Sequence, residues 1–109
     1  MKKYTKKELT KMLEDIKAGT VYTSIEKGRG GIGYIKLSCT GKYIEYNHFG
    51  TSARRVSVDD LQWIIDVIFM KADKITPAYY SEYHLNYIPI NEQCEHIDFS
   101  IMHPNVYGK

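Results

Sequence analysis

Several things a functional reading would look for are missing from this chain. It holds only two cysteines, Cys39 and Cys94, far apart and in no CxxC arrangement. A disulfide framework and a four-thiolate zinc site are therefore excluded, and two buried, reduced thiols are expected. No run of 18 apolar residues occurs, and the opening MKKYTKKELT is not followed by the apolar core of a secretory signal, so a soluble cytoplasmic protein with no membrane contact is expected. There is no GKS or GKT of a P-loop, no HRD or DFG of a kinase, and no G-x-S-x-G of a serine hydrolase. Repeats and low-complexity tracts are absent as well.

What the chain does hold is the composition of an ordinary globular protein, 43% hydrophobic and 26% charged over 109 residues, enough for a single domain with its own core. Its formal net charge of +2 hides an asymmetry. Residues 1–55 carry 12 Lys or Arg against 5 Asp or Glu, and residues 56–109 carry 3 against 8. A basic half offers a surface for an anionic partner if the fold gathers it on one side, and ordinary solvated surface if it does not.

Local signals give an α+β order. Thr5-Lys6-Lys7-Glu8 is a capping box, Leu9, Met12, Leu13 and Ile16 follow at helical spacing, and Gly19 supplies a stop, which predicts a helix over 1–19. TVYTSIE (20–26), YIKLSC (34–39) and KYIEYN (42–47) read as strands, with a short strand near Arg54, so that 20–56 is antiparallel. A tight hairpin at Thr40-Gly41 would set Leu37 against Ile44, Ile35 against Tyr46 and Lys36 against Glu45. Ser57 caps a core helix over 57–74 with Leu61, Ile64, Ile65 and Ile68 on one face and a second apolar stripe of Trp63, Val67 and Met70 beside it. Thr76-Pro77 predicts a short helix over 76–87, and HIDFSIM predicts a strand over 96–102. The expected fold is one α+β domain, a mostly antiparallel sheet of three to five strands packed on a central helix, with an N-terminal helix and a short third helix.

GRGGIG (28–33) spells the letters of a dinucleotide fingerprint. The fingerprint needs a helix directly after it, and the alternating YIKLSC follows instead, so this reading fails. The segment is expected to be a flexible basic connection between strands, with Lys27 and Arg29 at its mouth and Arg54 and Arg55 as candidate neighbours. Ten of the aromatics are Tyr, against three Phe and one Trp, and helical spacing would put Tyr79, Tyr83 and Tyr87 on one face. Tyrosine joins a large ring to a polar tip, which suits an interface. Cys94, His96 and His103 offer metal-ligand types without a recognised spacing, and His96 with Asp98 could share a face and a proton; neither makes a convincing metal or catalytic site. No cofactor is called for.

The run YNHFGTSARRVSVDDLQWIIDVIF (46–69) followed by ITPAYYSEY (75–83) resembles small, mostly uncharacterised accessory proteins of bacterial phages and integrative elements. What the resemblance implies is action by binding, including anti-CRISPR inhibition of host nuclease complexes. The reading is thus a non-enzymatic factor that engages a protein or ribonucleoprotein through Lys27, Arg29, Arg54, Arg55, Tyr79, Tyr83 and Tyr87, with a homodimer through Trp63, Val67 and Met70 as a further use of the second stripe. The alternative is a small nucleic-acid-binding module using the basic half.

Overall fold

The computed structural model describes residues 3–48, 52–92, 94, 96 and 97. Asp98 and His103, and most of the strand expected over 96–102, lie outside the described residues. Helix α1 (Lys6–Lys17) begins at the capping box read from the sequence: the Glu8 amide donates to Thr5 Oγ1 at 3.1 Å, and the Thr5 amide donates to Glu8 Oε1 at 2.8 Å. Met12 and Ile16 are its buried residues, worth roughly 3 to 6 kcal/mol gross. The helix is moored at both ends. Tyr4 accepts from the Ile75 amide at 2.7 Å, and the Tyr22 hydroxyl donates to Asp15 at 3.0 Å.

Among the described residues seven strands follow: β1 (Val21–Glu26), β2 (Arg29–Leu37), β3 (Tyr43–His48), β4 (Arg54–Ser57), β5 (Lys74–Ser81), β6 (Asn86–Pro89) and β7 (His96–Ile97). Six form an antiparallel sheet in the order β4-β3-β2-β1-β5-β6, and β7 runs parallel to the start of β2. The β2–β3 register is the one the sequence predicts, with Leu37 opposite Ile44, Ile35 opposite Tyr46 and Lys36 opposite Glu45. The strand count exceeds the expected three to five because residues 76–87 are not helical. Thr76 and Pro77 lie inside β5, and β5 and β6 form a hairpin closed by the Leu85 amide donating to the Ser81 carbonyl at 2.7 Å, with Leu85 in the left-handed region. Pro77 is tolerated because its nitrogen and carbonyl face β6 and not β1, at the end of the ladder with that edge strand, where the carbonyl still accepts from the Ile90 amide at 2.9 Å.

The GRGGIG segment is not a flexible connection. The turn between β1 and β2 is only Lys27-Gly28, both residues at positive φ (53° and 78°), the signature of a tight type I′ hairpin. It is tied down by Asp73, whose carboxylate accepts from the Lys27 amide at 2.8 Å. Residues 29–33 belong to β2, where the ladder slips: Thr23 pairs with Tyr34 but Ile25 pairs with Gly30, leaving two extra residues on β2 as a bulge. The carbonyls turned out of the ladder are met by buried side chains. Thr23 Oγ1 donates to the Gly33 carbonyl, Ser24 Oγ to that of Ile32 at 2.8 Å, and Asn86 Nδ2 to that of Gly31 at 3.4 Å. Ser24→Ala is therefore expected to leave the Ile32 carbonyl unpaired in a dry site and to cost about 1 to 3 kcal/mol, read as a lower urea midpoint at unchanged slope.

The bulge sharpens the sheet's coil, so that β6 folds back across β1 and β2 although it is three places from β2 in the order. On the other face lie α1 and the second helix, α2. The latter starts with Ser57 Oγ accepting from the Asp59 amide and runs as a 3-10 turn (Val58–Asp60), one α turn (Leu61–Trp63) and a π stretch (Ile64–Ile68). It ends well short of residue 74. The core between helices and sheet contains Met12, Ile16, Tyr22, Ile35, Ile44, Tyr46, Leu61, Ile64, Ile65, Phe69 and Ile75.

Candidate binding surface beside the second helix

The π stretch decides which side of α2 meets solvent. Its closing bond runs from the Phe69 amide to the Ile64 carbonyl at 3.0 Å, an i→i+5 spacing that brings Phe69 round beneath Ile64 where an α-helix would have turned it away. Phe69 is consequently among the most buried side chains, and Ile68 is only partly buried. Trp63, Val67 and Met70 face outward, 45%, 48% and 55% exposed. Sequence periodicity leaves this stripe either packed within the core or spare for another chain; in the structure it is open surface.

Beneath the stripe runs a shallow groove of about 340 Å³, lined by Tyr46, His48, Arg54, Trp63, Val67 and Ile68. The sheet register builds its far wall. Tyr22, Ile35, Tyr46 and Arg54 are successive cross-strand partners and so stand on one face. The first three are buried, and Arg54 continues their row outside the helix cover. Tyr46 meets Trp63 edge to face at 6.5 Å, and His48 meets Phe69 edge to face at 5.1 Å. Neither Tyr46 nor His48 is flagged by any sequence motif; only the β2–β3–β4 register puts them there.

His48 is pushed below the ordinary histidine pKa by burial, with Lys71 adding to the shift and Glu26 opposing it. The unfolded imidazole titrates near 6.5, so on acidification the unfolded chain binds the proton first. The stability this group contributes is complete above that value and is lost as the pH falls through the folded value. The thermal midpoint is expected to drop between pH 7 and pH 5, and His48→Gln should flatten that part of the profile.

The residues singled out from the sequence are scattered. Lys27 and Arg29 sit at the β1–β2 turn, whereas Arg54 and Arg55 are on edge strand β4, level with Ile35 and Lys36 near the far end of β2. Arg55 faces away from Arg54 and lies 3.8 Å from Glu45. The basic residues thus make no single patch. The tyrosines divide too. Tyr79 and Tyr83 are exposed, Tyr83 at the hairpin tip by 88%. Tyr87 is spent on the fold: its ring packs at 5.1 Å on Tyr34 and 5.2 Å on Tyr80, and its hydroxyl accepts from Lys36 at 3.4 Å. Tyr34 donates to Glu45 at 2.6 Å, and burial together with that bond pushes its hydroxyl pKa well up. This network holds β6 across the sheet.

Both cysteines are free thiols, but they are not the buried pair expected: Cys39 is exposed and Cys94 half-buried. Among the described residues no three His, Cys, Asp or Glu side chains converge as a metal ion would require, and no helix is long and apolar enough to cross a membrane. No family model, curated protein or solved structure matches the chain.

Proposed function

We propose that the protein is a non-enzymatic binding factor that docks a protein or ribonucleoprotein partner against the outer side of α2. One observation carries this reading: Trp63, Val67 and Met70 form a continuous apolar stripe that the fold leaves in solvent, next to a groove, although the same helix buries Leu61, Ile64, Ile65 and Phe69. Three half-exposed apolar side chains stand together on one side of the helix, and a contiguous exposed apolar patch is often functional, whereas apolar residues scattered singly are not informative. Tryptophan is among the side chains enriched at the energetic centres of interfaces.

The partner class follows from the resemblance to phage and mobile-element proteins. Residues 46–69 and 75–83 carry that resemblance, and they include nearly all of the surface: Tyr46, His48, Arg54, Trp63, Val67 and Ile68. A CRISPR-type nuclease complex is therefore the partner to try first. The scattered basic residues give no specific support to the nucleic-acid alternative. The test mixes the purified protein with such complexes and measures co-elution and target-DNA cleavage. Co-elution with slowed cleavage is expected; no co-elution and unchanged cleavage with every complex tried would sink the anti-defence reading.

A further inference from the structure

We propose that the groove beside α2 takes a short linear segment of the partner in which an apolar anchor stands next to a carboxylate, the anchor lying on Trp63, Val67 and Met70 and the carboxylate on Arg54. The proposal rests on the reading of this surface as a docking site and adds the chemistry of what docks.

Charge is the first ground. The described groove-lining residues include one fixed cation, Arg54, and no carboxylate. Arg54 is the outermost member of an otherwise buried cross-strand row. The acid nearest to it in the ladder is Glu45, which points to the opposite face of the sheet and is taken by Tyr34 and Arg55. Among the described residues nothing pairs with the Arg54 guanidinium. A cation so placed at the rim of an apolar groove is complementary to a carboxylate, which it can grip with two parallel hydrogen bonds.

Size is the second. Three half-exposed apolar side chains beside a groove of about 340 Å³ make a small site, whereas a stable interface between two folded proteins draws on roughly 800 Å² and about 20 to 30 residues per partner. A second copy docked about a two-fold axis would present the same described groove lining, which holds no carboxylate for Arg54. One or two anchor side chains with a neighbouring acid fill the space without either difficulty. Trp63, braced edge to face on Tyr46, forms one wall and Arg54 the other.

The experiment uses the full chain and two fluorescein-labelled peptides that share the same Phe and Leu anchors and differ only in flanking Glu or flanking Lys, with binding read by fluorescence polarisation. The Glu peptide is expected to bind about tenfold tighter or better, a difference of roughly 1.4 kcal/mol. Arg54→Glu should reverse the order, and Met70→Asp should weaken both peptides. Equal affinities, or an order that Arg54→Glu leaves unchanged, overturn the carboxylate assignment while Met70-dependent binding keeps the docking surface. Peptide binding that ignores Met70→Asp removes the surface reading along with the inference. If neither peptide binds and sedimentation shows a dimer that Met70→Asp dissolves, the occupant is a second copy and the proposal is wrong.

Discussion

Gly33→Ala is expected to prevent stable folding. Gly33 lies in the bulge of β2 at φ +105°, a conformation that L side chains rarely adopt, and a Cβ built there would overlap the carbonyl oxygen of Asn47 on the neighbouring strand. The obstacle is backbone, so no rotamer change relieves it. Moving it would break the Gly33–His48 end of the β2–β3 ladder and disturb the Gly33 carbonyl that Thr23 holds. The combined cost should exceed about 4 kcal/mol, a large part of the whole stability of a domain this size. Gly41→Ala is the control: that residue also has positive φ, +77°, but a Cβ there would have nothing within 4 Å, so only about 1 to 2 kcal/mol of backbone strain is expected. Urea titrations of the two variants separate the effects.

The second large effect is functional. Val67→Asp with Met70→Asp is expected to leave the urea midpoint nearly unchanged, because both side chains are about half exposed and stand outside the core cluster. Partner binding should fall by at least about a hundredfold, the loss of roughly 2.7 kcal/mol that follows from setting two carboxylates where apolar anchors dock. Stability that collapsed with binding would instead mean that the stripe serves the fold.

How far the sequence can be read depends on the range of the interactions involved. The capping box at Thr5 and Glu8 is a four-residue device and is legible in full. The β2–β3 register is legible because Lys36 opposite Glu45 and Ile35 opposite Tyr46 make sense on both faces at once. Thr76-Pro77 misleads because proline suits a first helical turn as well as the end of a strand ladder; what selects the strand is pairing with β1, far earlier in the chain. GRGGIG can be denied its cofactor role from YIKLSC alone, but its real role needs Ser24, Thr23 and Asn86 to reach its carbonyls, and no local pattern announces them. The π stretch is hidden for the same reason. The choice between i→i+4 and i→i+5 at Ile64 turns on where Phe69 finds its pocket beside His48. Charge alone makes Arg54 one of several scattered basic residues; the register gives it a groove.

Hydrogen exchange of the full chain, alone and saturated with a partner identified by co-elution, tests the docking surface most directly. Slowed exchange is predicted in Leu61–Trp63, Ile64–Ile68 and Arg54–Ser57, with the Lys27-Gly28 turn and the hairpin tip at 82–85 unchanged. Protection confined to that turn and tip, with α2 and β4 exchanging as in the free protein, would contradict it.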